Sequence, residues 1–85
     1  MPTISMFYGI IIRMYYIDHN PPHFHAFYGK EMAKFNFDGE LIEGEFPYKQ
    51  IKLVQAWAEI HKKELEANWE LSKNSERPFK IIPLR

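Results

Sequence analysis

The chain contains no cysteine, which excludes disulfides and thiolate-held metals. It also lacks a long apolar run. The strongest, around Ile10-Ile11-Ile12, is interrupted by Arg13 and falls far short of the roughly 20 apolar residues that span a bilayer. Nothing at the start resembles a signal peptide, so a soluble cytoplasmic protein without a membrane partner is expected. Net charge is missing too, since 11 basic and 11 acidic side chains cancel. That balance argues against bulk, nonspecific nucleic-acid binding, which relies on neutralising many phosphates. Length is short as well: 85 residues make a single domain, 1–85. Such a chain buries only roughly 60–65% of its unfolded surface, so its core is thin.

Aromatic side chains are plentiful, with seven Phe, five Tyr and two Trp. Each ring buries roughly 150–250 Å² and compensates in part for the small size. The charges that cancel overall are unevenly placed. Residues 1–30 carry a net of +1 and three of the four histidines, residues 31–47 a net of −4, and residues 48–85 a net of +3. The acidic middle suits a basic protein partner. A small domain without covalent staples is expected to form a homo- or hetero-oligomer, burying part of its helix or its edge strand.

Two periodicities divide the chain. Up to Glu45 the pattern has period two and predicts strands at 10–16, 23–28, 32–37 and about 40–45. Gly29-Lys30 reads as a turn, and Asp38-Gly39 as a two-residue hairpin. The acidic fourth strand belongs at an edge. Pro47 suits the first turn of a helix, where a missing N–H costs nothing. Beyond it Ile51, Val54, Trp57, Ala58, His61, Leu65 and Trp69 recur at helical spacing. The pattern runs to about Ser72, long enough for two helices bent near His61. Residues 79–82 read as a short final strand. The expected fold class is α+β, a four-stranded antiparallel meander with a long or bent helix packed on one face.

The candidate site is the string His19-Asn20-Pro21-Pro22-His23-Phe24-His25, three imidazoles in seven residues. It forms a loop stiffened by adjacent prolines. Alternation along a strand puts His23, His25 and Phe27 on one side and Phe24, Ala26 and Tyr28 on the other. The second set is the more apolar and is expected to meet the helix. His23 and His25 would then share the opposite face with Arg13, Tyr15, Lys34 and Asn36. Three readings of that surface compete. In the first, His23 and His25 bind a metal, with His19 as third ligand and Asp18 close in sequence. In the second, His23 and His25 act as general acid and base on RNA. Arg13 or Lys34 would stabilise the phosphate, while Tyr15 or Phe27 stacks on a base. In the third, the histidines hydrogen-bond backbone groups and hold the turn. With three clustered ligands and no thiolate, no metal and no cofactor are expected. The purified protein should carry less than about one equivalent of zinc. His61 reads as a core residue, and Trp57 and Trp69 as core or partner-facing anchors.

Several strings in the chain carry a resemblance. Pro2-Thr3-Ile4-Ser5, Phe7-Tyr8-Gly9-Ile10-Ile11-Ile12-Arg13-Met14-Tyr15 and His19-Asn20-Pro21-Pro22-His23-Phe24-His25-Ala26 resemble the small bacterial proteins called domain of unknown function 4160. Trp57-Ala58-Glu59 with His61, Glu64-Leu65 and Asn68-Trp69 are similar to the same family, so the resemblance covers nearly the whole chain. It implies a gene neighbour of the domain of unknown function 2442 type, in an arrangement like a type II toxin–antitoxin module. This family would take the toxin role, and many such toxins are small ribonucleases held by a tight protein partner. The expectation is therefore a toxin-like component, with a metal-independent ribonuclease acting through His23 and His25 as its activity and RNA as its target. The alternative is a non-enzymatic binding domain whose histidine loop is structural or metal-loaded. Family members often carry a charged residue where this chain has Phe27, which favours a stacking or partner contact there.

Overall fold

The computed structural model describes residues 2–85. Five antiparallel strands, β1 (Thr3–Phe7), β2 (Ile10–Arg13), β3 (Phe24–Tyr28), β4 (Glu31–Phe35) and β5 (Leu41–Gly44), precede two helices, α1 (Tyr48–Ile60) and α2 (Lys62–Lys73). The sheet is a meander in sequence order, β1-β2-β3-β4-β5. The α+β class and the acidic strand at an edge are as expected. The strand count is not. Thr3–Phe7 forms an additional strand, joined to β2 by Tyr8-Gly9, with Phe7 opposite Ile10. Both loop residues have positive φ, 49° and 79°, the geometry whose twist matches a two-residue hairpin. Tyr in the first of these positions hides the turn from a reading that looks for Asn-Gly or Asp-Gly.

The Asp38-Gly39 hairpin is corrected. Strand β4 stops at Phe35 and pairs it with Leu41, leaving five residues in the loop. Asn36 explains the difference. Its side-chain oxygen accepts the Asp38 N–H at 3.0 Å and the Glu40 N–H at 2.9 Å, a local alternative to ladder bonding that Asn readily supplies. Phe37 leaves the strand pattern to join the core. Strand β5 then kinks at Gly44. There φ is 92°, and a Cβ would lie 2.4 Å from the Met32 carbonyl oxygen, so any other residue would collide with β4.

Pro47 precedes the first turn of α1 and accepts the Ile51 N–H at 2.9 Å. The helical run breaks at His61, with φ −110° and ψ 26°, so two helices stand where one long or bent helix was an option. The stripe is as the spacing predicts. Val54, Trp57, Ala58, Leu65 and Trp69 are buried against Ile10, Ile12, Phe24, Ala26, Ala33 and Phe35 of one sheet face. No helix among the described residues is long and apolar enough to cross a membrane.

Residues 79–82 are not a strand. They lie extended beside β1, and Ile81 donates a single backbone bond to the Ile4 carbonyl at 2.7 Å. A ladder does not develop, because Pro78 and Pro83 have no N–H and the intervening groups are claimed by side chains. Asn68 accepts the Phe79 N–H at 2.9 Å and donates to its carbonyl at 2.8 Å, while the Trp57 indole donates to Ile82 at 3.0 Å. Replacing the buried Asn68 by Ala removes two hydrogen bonds and strands the Phe79 backbone. The expected cost is about 2–4 kcal/mol, read by urea denaturation. Trypsin should then cut faster after Lys80, and unchanged stability would show that the tail does not depend on this amide.

Candidate functional site

Strand β3 begins at Phe24, and its register fixes one row of the site. Arg13 of β2, His25 of β3 and Lys34 of β4 are direct cross-strand partners, on the face away from the helices, as alternation predicts. Tyr15 lies beyond the end of β2, and its ring meets His25 edge-on at 4.4 Å. Arg13 packs over the Phe27 ring at 5.1 Å and its Nε lies 3.4 Å from the Thr3 hydroxyl. Lys34 pairs with Glu43 at 3.5 Å. Four of the expected residues thus surround His25. Asn36 does not join them, because its amide is spent on the β4–β5 loop.

Two expectations are corrected. The histidines are not an open polar surface: His23 is 5% exposed and His25 8%. They also do not share one face. His23 sits one residue before β3, where strand alternation no longer applies, and its ring lies 5.5 Å from that of Trp69 on α2. Its centroid is still only 5.2 Å from that of His25. The two rings therefore meet around the end of the sheet, walled by Tyr15 on one side and Trp69 on the other.

The connection from β2 brings Asp18 to this point. Ile17 has φ 49°, costly for a β-branched residue, and is held there by donating its N–H to the Ser72 carbonyl of α2 at 3.0 Å. The strained turn aims the next side chain inward. One Asp18 oxygen accepts the His19 N–H at 2.8 Å, and the other lies 3.0 Å from His23 Nε2. One donor atom each from Asp18, His23 and His25 lies within 4.8 Å of the others. His19 itself is exposed and faces away, as are Asn20, Pro21 and Pro22; their role is to route the chain. The carboxylate that sequence proximity only placed near the cluster is thus its third member, and His19, the expected third ligand, is not. The positive φ at Ile17 is the feature that the sequence does not signal.

His23 Nδ1 lies 2.7 Å from the Pro21 carbonyl oxygen. A carbonyl only accepts, so Nδ1 carries the proton and donates. That leaves Nε2 turned toward the Asp18 carboxylate. Burial pushes His25 below its ordinary value of 6.5, and His23 and Lys34 push the same way against Asp18 and Glu43. His25 is thus held neutral near pH 7, and its buried Nδ1 has no hydrogen-bond partner. A cleft between β1 and residues 80–83, lined by Ser5, Ile4 and Ile81 among others, lies apart from this cluster.

The fold and site define a small α+β domain with a buried carboxylate–bis-imidazole cluster at one end of its sheet. The chain belongs to the family described as domain of unknown function (DUF4160), whose model matches residues 9–70, a span that contains the whole cluster. No curated protein and no solved structure matches it.

A depressed histidine binds its proton more weakly in the folded state than in the unfolded chain. Its contribution to stability is complete above about pH 6.5 and is lost as pH falls through that value toward the folded pKa. The metal-free protein should therefore melt progressively lower between about pH 7 and pH 5. His25→Gln should flatten that dependence, and an equal slope in both proteins would assign it elsewhere.

Proposed function

We propose that this chain is the toxin-like member of a two-protein bacterial module and works by binding a protein partner. The observation that carries the reading is the sheet face opposite the helices. Met6, Ile11, Phe27 and Met32 are successive cross-strand partners and form an apolar row over which no described element packs. Met6 is 60% exposed and Met32 46%. Arg13 and Lys34 form a cationic row beside it. An apolar stripe rimmed by charge is the anatomy of a protein interface, with a dry centre and a polar edge. The occupant favoured by the family resemblance is the small cognate protein of the domain of unknown function 2442 type.

The ribonuclease reading draws less support from the geometry. General acid–base chemistry needs both imidazoles within hydrogen-bond reach of a ribose and its phosphate. Here Tyr15 and Trp69 cover the rings, and the neighbouring cations are engaged with Phe27 and Glu43. Burial of both histidines supports the binding alternative over catalysis.

Co-expression with the neighbouring gene product is expected to yield a stable complex and to relieve growth inhibition by this chain alone. Met32→Glu puts a charge into the centre of the apolar row at a position where the fold tolerates one. It should weaken the complex at least about tenfold, some 1.4 kcal/mol, while leaving the melting temperature unchanged. RNA cleavage by the purified protein in a chelator, lost in His25→Ala and kept in Met32→Glu, would overturn the reading.

A further inference from the structure

We propose that Asp18, His23 and His25 form a binding site for one divalent first-row transition-metal ion, with zinc as its chemical type. Its donors are identified without reference to the proposed partner of the open sheet face. Three observations converge on it. The first is the donor set itself: two imidazoles and a carboxylate are nitrogen and oxygen ligands suited to such ions, and no thiolate is needed. The required separations are nearly in place. Two donors bound to one ion at about 2.0–2.2 Å lie about 2.9–3.5 Å apart. Asp18 and His23 already present atoms 3.0 Å apart, and the whole set lies within 4.8 Å, so binding requires the donors to draw together from that wider spacing.

The second observation is the polar atoms left over. His25 Nδ1 is buried without a hydrogen-bond partner, and His23 Nε2 makes no hydrogen bond beyond its 3.0 Å contact with the Asp18 carboxylate, both on side chains more than nine-tenths buried. Leaving such atoms unpaired is costly. A proton on His23 Nε2 would satisfy the contact with Asp18 and would leave His25 Nδ1 orphaned. A metal ion accepts lone pairs from both rings and the charge of the carboxylate together. The third observation is the outer hydrogen bonding. His23 donates its other ring proton to the Pro21 carbonyl, which fixes the tautomer that presents Nε2 as a ligand. Asp18 is oriented in the same way by the His19 N–H. These are the supports that hold metal ligands in place, and the proline-stiffened loop supplies both. Three protein donors leave at least one coordination position for solvent, on the side where Asp18 reaches the surface.

The expectation of a metal-free protein rested on a count of only three clustered ligands and no thiolate, with His19 as the third of them. The count stays at three, but Asp18 stands in place of the exposed His19, and the donors converge in a buried position, which is what changes the assignment.

The test is titration of the chelator-stripped full-length protein with zinc chloride and, for a spectrum, cobalt chloride. Binding of about one equivalent with a visible Co(II) band and a raised melting temperature is expected. Asp18→Asn should lower zinc affinity at least about tenfold while melting in chelator close to the parent. His19→Ala should bind as the parent does. Should Asp18→Asn fold poorly, nitrogen-15 shifts of His23 Nε2 and His25 Nδ1 in the parent decide: both move on zinc addition if they are ligands. Absence of binding at hundreds of micromolar metal, a site lost in His19→Ala but kept in Asp18→Asn, or unmoved ring nitrogens would overturn the proposal.

Discussion

The indole of Trp57 is the contact on which this small domain turns. It is fully buried and lies 5.3 Å from the Phe7 ring of β1 and 5.6 Å from that of Phe24 in β3. It also touches His61 where the two helices part and donates its N–H to Ile82 in the terminal segment. One side chain therefore ties an edge strand, a central strand, the helix break and the tail. Truncating a buried aromatic costs about 3–5 kcal/mol, against a total of about 5–15 kcal/mol for a typical domain. In a chain this short the core has no reserve to absorb such a loss. The same indole bond at Ile82, with the Asn68 pair at Phe79, holds the tail beside β1 where no ladder forms.

What the sequence made legible follows the length of each regular pattern. The helical stripe from Val54 to Trp69 repeats over several turns and predicted the buried face residue by residue. The alternation through Ile10, Ile12, Phe24 and Ala26 likewise predicted which sheet face meets the helices. Turns were harder to read, because a few atoms decide them. Tyr8 adopts a conformation that favours glycine, so β1 went unseen. Asp38-Gly39 carries the strongest short hairpin signal in the chain, yet the Asn36 side chain captures the two N–H groups that a tight turn would have left to the ladder. At the second place a side-chain contact outweighs a local preference, whereas Tyr8 takes its positive φ while exposed.

The site divides along the same line. Strand alternation correctly put Arg13, His25 and Lys34 in one row, because all three sit inside paired strands. It failed for His23, which lies one residue outside β3, and so it could not foresee that the two imidazoles would converge from different faces. Burial was equally hidden. Tyr15 and Trp69 that cover the rings come from beyond the end of β2 and from α2, at separations that no periodicity encodes. Asp18 reaches the cluster only because Ile17 is held at positive φ by a carbonyl of α2.

The placement of the cluster gives it a mechanical role. The segment between β2 and β3 crosses an end of the sheet outside strand pairing, held by the buried Met14, the Met14–Pro2 and Ile17–Ser72 bonds, the ring packing of Tyr15 and His23, and the Asp18–His23 contact. Asp18 belongs to that segment, His23 packs on α2 and His25 is in a central strand, so one ion on all three would join loop, helix and sheet. Disulfides do that work in many small domains, and this chain has no cysteine. The same end of the sheet also bounds the open face, since His25 lies in the row next to Met6, Ile11, Phe27 and Met32. Fixing His25 and Tyr15 would fix the rim of that apolar row. A binding surface gains affinity when its edge is ordered before the partner arrives. On the proposed reading, an ion held by the cluster would act on the open face by stiffening its rim, without either imidazole touching a partner there.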